Sequence, residues 1–130
     1  MLDQIKNNLS NSISSKYNEI LLDLEKIFEK IKKELITKKA ENLVNLKVWE
    51  IDNQHLIHGF AWIATYLESL RQINKWAFKL AKNKNKSEFE HLILDIAFIE
   101  YVRQILNGIP MSQTEFIKVN DYKSITPSDL

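Results

Sequence analysis

The chain has 130 residues, 45% of them hydrophobic and 27% charged, enough for one domain that buries roughly two-thirds of its unfolded surface. Lys and Arg exceed Asp and Glu only by 18 to 17, so the basic excess common in nucleic-acid binders is missing. The lack of cysteine excludes a disulfide framework, zinc–thiolate sites and thiol chemistry.

The start, MLDQIKNNLSNS, lacks the basic and apolar regions of a secretory signal. The most apolar run, LILDIAFIEYV at 92–102, is broken by Asp95 and Glu100 and falls far short of the ~20 residues of a spanning helix. The expectation is a soluble cytoplasmic protein with no nucleic-acid or membrane partner. Sixteen of the 18 basic residues are Lys, a bias that suits an AT-rich coding sequence, so the Lys count itself says little about function.

Two Gly and two Pro in the whole chain, with little apolar/polar alternation, point to helices and against a sheet. Ile13, Tyr17, Ile20, Leu24, Ile27 and Ile31 recur at spacings of four, three, four, three and four, one stripe of a bundle helix. Leu21, Phe28 and Leu35 widen it, and the stripe fades at a turn near 37–45. A second helix covers 46–82, with Leu56, Phe60, Ile63, Leu67, Leu70 and Ala77 in one stripe and Trp62, Tyr66, Ile73, Trp76 and Leu80 in another. A helix apolar over that much of its circumference belongs at the centre. Unbroken it would reach ~55 Å, so a bend is expected near Glu50–Asn53.

KNKNK at 82–86 reads as a loop, and Ser87 with Glu90 as a capping box opening a third helix over 88–107. That helix is expected to bury Phe89, Leu92, Ile93, Ile96, Ile99 and Ile105. Gly108 and Pro110 end it. Ser112 and Glu115 repeat the capping-box pattern, which predicts a short fourth helix near 113–119. The expected architecture is all-α: a bundle of three long helices with a short C-terminal helix over 1–122, then a polar tail or linker at 123–130.

Three constellations carry possible chemistry. Glu88 and His91 stand as Glu-x-x-His, a spacing used in carboxylate-bridged di-iron bundles, and Asp52, His55 and His58 echo it. Against a metal, Glu88 and His91 fall in the first turn of their helix, and the apolar stripe of the first helix contains no Glu. His55 or His58 could serve as a general base, but nothing at fixed spacing supplies a nucleophile or an orienting acid. Two isolated glycines exclude a phosphate loop or dinucleotide fingerprint. The Lys clusters alternate with Glu and Asn, as a solvated face does.

Trp49, Trp62 and Trp76 fit either core packing or an interface, where aromatics and Arg dominate binding energy. Mid-helix Gly59 costs ~1 kcal/mol relative to Ala, which calls for a close approach: a helix crossing within the domain or a partner's backbone. Glu68 and Arg71 can pair along the helix.

The segments QHLIHGFAWIATYLESLRQ at 54–72 and NGIPMSQTEFIKVNDY at 107–122 resemble the amino-terminal helical extension of a subgroup of acyl-CoA dehydrogenases, the methylsuccinyl-CoA dehydrogenase-like flavoenzymes. His58 through Gln72 follow the pattern His-Gly-Leu-Ala-Trp-hydrophobic-Ala-Thr-Tyr-hydrophobic-Glu-Ala-Leu-Arg-Gln, with Phe60 for Leu and Ser69 for Ala. Gly108 through Gln113, with Glu115, follow Gly-Ile-Pro-Met-Ser-Gln-x-Glu, with Thr114 where Gly is usual. The family implies FAD-dependent α,β-dehydrogenation of an acyl-CoA thioester.

Neither the catalytic Glu nor the flavin-binding segments of that family match any residue here. The resemblance therefore implies an accessory domain with no catalytic, cofactor or metal residues of its own. Its partner would be the acyl-CoA dehydrogenase catalytic core, in cis or trans, and a homo-oligomer is a further possibility. The residues expected at the interface are Trp62, Tyr66, Arg71, Pro110, Met111, Ser112, Gln113 and Glu115. An unrelated helical adaptor and, more weakly, a metal-dependent bundle enzyme stay open as alternatives.

Overall fold

The computed structural model describes residues 2–82 and 88–130, with side chains described for 16–80 and 89–130. The expected 82–86 loop, the capping role of Ser87, and the side chains of Ile13 and Glu88 lie outside the described residues. The fold is an all-α bundle of α1 (Leu2–Glu41), α2 (Leu46–Asp52), α3 (Gln54–Lys82) and α4 (Glu88–Asn107), with a two-stranded β1 (Ile109–Pro110) and β2 (Phe116–Ile117) behind it.

The first helix keeps the periodicity of its apolar residues. Tyr17, Leu21, Leu24, Ile27, Ile31 and Leu35 are buried along one stripe, and Phe28 stacks on Phe60 of α3 with ring centroids 4.6 Å apart. The central helix is α3, which packs against both α1 and α4. Its Ile63, Leu67, Leu70 and Ala77 are buried, and Trp62, Tyr66 and Ile73 pack at the margin of the core. The expected bend is present as a full break at Asn53, whose side-chain amide donates to the Trp49 carbonyl at 2.9 Å.

On α4 the buried stripe differs from the one expected. Leu94, Phe98 and Ile105 enter the core, with Phe98 against Tyr17 of α1 at a centroid separation of 4.4 Å. Of the six residues expected inside, Ile105 is buried, whereas Phe89, Leu92, Ile93, Ile96 and Ile99 face outward. The helix has apolar residues all round, and α3 covers only one side.

Gly108 ends α4 at φ +140°, a conformation that side chains rarely adopt, and its amide donates to the Gln104 carbonyl at 2.8 Å. The fourth helix expected near 113–119 does not form. Ile109 pairs with Ile117 and Pro110 with Phe116, antiparallel, and two short 3₁₀ turns, Val119–Asp121 and Pro127–Asp129, follow. The Ser112 hydroxyl still accepts the amides of Thr114 and Glu115, at 3.4 and 3.2 Å. The same side chain that caps a helix thus closes a hairpin loop here. Ile109, Ile117, Val119 and Tyr122 are all buried, and this alternating apolar supply holds the extended chain onto the bundle.

Residues 123–130 lie along α1. Glu34 accepts the Ser124 amide at 2.7 Å and the Lys123 amide at 3.3 Å, and also pairs with Lys38. Asp129 pairs with Lys30, and Ile125 packs on the core.

Candidate docking face

The stretch 58–72 is a straight run of α3, so each side chain is placed by the 100° step of the helix. Trp62 and Tyr66 are one turn apart and share a face. The Trp62 indole donates to Nε2 of exposed His58 at 3.1 Å and meets the Tyr66 ring edge-on at 6.3 Å. Tyr66 stacks on Tyr101 of α4 at 4.7 Å, and its hydroxyl donates to Gln104 at 2.8 Å. Burial, then the neighbouring Tyr101, pushes the Tyr66 phenol above its ordinary value. Both residues are half-buried.

Arg71 lies nine residues from Trp62, which on a helix is the opposite side. Its guanidinium donates to Glu25 of α1 at 2.9 Å and to Glu68 at 3.1 Å. The bond to Glu25 raises its pKa above the ordinary value against a smaller opposing effect of burial, and the Glu68 bond adds to the rise. Arg71 therefore ties α1 to α3, and the structure does not bring it together with Trp62 and Tyr66. Glu68 is held below its usual range, chiefly by hydrogen bonding from Gln72 and then from Arg71.

The hairpin does approach the Trp62 side. Gly59, one turn before Trp62, is buried beneath Ile117 of β2; a Cβ built there would lie 2.3 Å from Ile117 Cγ1. The close approach expected at Gly59 is thus real, but it comes from an isoleucine of this chain rather than a helix crossing or another backbone. Pro110, Ser112, Gln113 and Glu115 are exposed on the hairpin, while Met111 turns inward onto the core. Tyr122, fully buried, donates its hydroxyl to the Leu56 carbonyl at 2.8 Å and fixes this end of α3 to the chain beyond the hairpin. Burial above all, then Asp121 and Glu34, drives its pKa far up. Sequence reasoning missed Ile117 and Tyr122 as the residues that place the hairpin; the Ile-x-Val-x-x-Tyr spacing after 116 was the available signal.

An open groove of about 710 Å³ runs between α3 and α4, lined by Ala64, Thr65, Glu68, Ser69, Gln72, Ile73 and Tyr101. Its lining contains one carboxylate and no cation, so it does not fit the diphosphate of FAD. Gly59 and Gly108 are both committed to packing and to a helix end. Among the described residues, no three His, Asp or Glu side chains converge as metal ligands would. Asp52, His55 and His58 are exposed. No described helix is long and apolar enough to cross a membrane.

The geometry therefore defines an all-α domain in which Trp62, Tyr66 and the hairpin contact all fall in the N-terminal half of the central helix. No protein-family profile matches the chain. It is 43% identical over 107 residues to (2S)-methylsuccinyl-CoA dehydrogenase of Cereibacter sphaeroides, a match that takes in 80% of this chain and 19% of that enzyme. The match supports an acyl-CoA dehydrogenase-like N-terminal domain, and the chain spans about a fifth of the length of the curated relative it matches.

Proposed function

We propose that this domain is a helical accessory module of an FAD-dependent acyl-CoA dehydrogenase, in cis or trans, with no catalytic residues of its own. In this reading it works in the cytoplasm. The parent reaction would be α,β-dehydrogenation of an acyl-CoA thioester, carried out by the catalytic core with its own flavin and base. The observation that carries this reading is the 43% identity across four-fifths of this chain. It is supported by the use made of the polar residues in 58–72: His58, Tyr66, Glu68 and Arg71 are each engaged by neighbours of this chain.

The docking surface in this reading is the half-buried Trp62–Tyr66 pair with the exposed hairpin residues Pro110, Ser112, Gln113 and Glu115, next to inward-turned Met111. Arg71 contributes by holding α1 against α3 rather than by touching the core. Isothermal titration of the 130-residue chain into a purified, FAD-loaded acyl-CoA dehydrogenase core tests it. The expected result is saturable binding that Trp62→Ala and Gln113→Ala weaken. Absence of binding, or binding that both variants leave untouched, overturns the reading and leaves a free-standing helical adaptor.

A further inference from the structure

The outer face of α4 is an apolar stripe that the docking reading leaves unused. Phe89, Leu92, Ile96 and Ile99 recur at spacings of three, four and three and are 68, 54, 53 and 65% exposed; Ile93 beside them is 38% exposed. This is the a/d spacing of a helix that packs against another helix, continued over ~15 Å. It projects away from the side of α4 that meets α3, and among the described residues it stays exposed.

We propose that this face pairs with the same face of a second copy, the two α4 helices running antiparallel and crossing near Ile96. Size and charge carry the assignment. The five side chains expose roughly 500–600 Å² per copy, so a symmetric pair could bury at most about 1,000–1,200 Å², the size of a weak, concentration-dependent interface. The stripe is apolar up to Ile99, and its charged continuation is Glu100 and Arg103.

A parallel pair would set Glu100 against Glu100 and Arg103 against Arg103, an unfavourable like-charge arrangement. The antiparallel pair centred on Ile96 sends these residues to opposite ends. There Arg103 of one copy comes over the Phe89 ring of the other, a cation–π contact, Ile93 meets Ile99, and Glu100 falls beside Leu92 rather than against a second Glu100. A lipid surface fits poorly, because α4 carries Glu88, Glu90, Asp95 and Glu100 against a single Arg. The proposal does not depend on docking to a dehydrogenase core, since α4's outer face contains none of the residues assigned to that role.

Sedimentation equilibrium of the whole chain, at a loading on the order of 100 μM as suits an interface this small, is expected to give twice the 15.3 kDa chain mass. Ile96→Glu is expected to return the monomer with unchanged circular dichroism, because Ile96 already faces water in the single chain. A monomeric parent chain, or a dimer that survives Ile96→Glu, overturns the proposal. Orientation is read by thiol pairing, which is unambiguous in a chain without cysteine. Ile96→Cys is expected to cross-link to itself, and Phe89→Cys to cross-link with Arg103→Cys but not with itself. Self-linking of Phe89→Cys with no mixed product refutes the antiparallel pair. Trp62→Ala is expected to leave the dimer intact, which separates a failure here from a failure of the docking reading.

Discussion

Replacing Gly59 by Ala sets two effects of opposite sign against each other. Helix propensity favours Ala by ~1 kcal/mol at a mid-helix position. Packing opposes it, because the new methyl would fall 2.3, 2.7 and 2.9 Å from Cγ1, Cδ1 and Cβ of Ile117. The end of a flexible side chain could swing aside, but Cβ moves only with its backbone, and Ile117 is paired with Ile109 and fully buried. Overpacking a filled core costs about 1–3 kcal/mol, and three simultaneous overlaps place this site near the top of that range. The net expectation is a loss of about 2 kcal/mol. In urea, where the slope for a small domain is about 1–3 kcal/mol/M, the midpoint should drop by about 1 M with an unchanged slope. Ile117→Ala in the same chain removes Cγ1 and Cδ1, so the two substitutions together should cost less than their separate costs added. A Gly59→Ala chain more stable than its parent by ~1 kcal/mol would show that propensity alone governs the site and that Ile117 does not rest on it.

Other perturbations read other parts of the frame. Tyr122→Phe removes only the hydroxyl bonded to Leu56 and should cost about 1 kcal/mol in urea titration. Because the folded Tyr122 pKa is raised, the stability it supplies is present below the ordinary value of 10.0 and lost as pH climbs above it; fluorescence-monitored unfolding in alkali should show this loss. Burial pushes the Glu34 carboxyl up, but the bonds from Lys38 and Ser124 outweigh burial and set it below 4.5. Its stabilisation is therefore full above that value and fades as pH falls through the lower folded one, a fade that Glu34→Gln should abolish in the same urea assay. Glu34→Gln should also speed hydrogen exchange at the Ser124 amide, measured by mass spectrometry, because a charged acceptor is lost. Arg71→Ala should lower stability by up to ~1 kcal/mol, less at high salt, since the Glu25 and Glu68 pairs are partly exposed.

How far the sequence could be read depended on whether a residue's surroundings left one solution or two. The stripe on α1 is flanked by charged residues, so only one face could turn inward, and it did. The break at Asn53 was legible for a similar reason: so long a helix exceeds a small domain, and Asn53 can hydrogen-bond back to Trp49. On α4 the pattern had two answers. Phe89, Leu92, Ile96 and Ile99 step by three, four and three, while Leu94, Phe98, Tyr101 and Ile105 step by four, three and four. Periodicity weighs both stripes alike, and only the placement of α1, α3 and the hairpin against α4 chooses between them.

The hairpin illustrates the same limit in a shorter segment. Ser112 followed by Glu115 fits a helix start and a turn equally well, because either way the hydroxyl accepts amides two or three residues ahead. What decides is beyond the motif. Tyr122 reaches the Leu56 carbonyl, and the extended chain before it turns both Ile117 and Val119 toward the core, two side chains that a helix over 113–119 would have set about 160° apart. Gly59 belongs to this arrangement, since a side chain there would occupy the place of Ile117. The glycine in the 58–72 segment and the isoleucine after the Gly-Ile-Pro-Met-Ser-Gln segment are thus two halves of one contact, and a change in either is felt by the other.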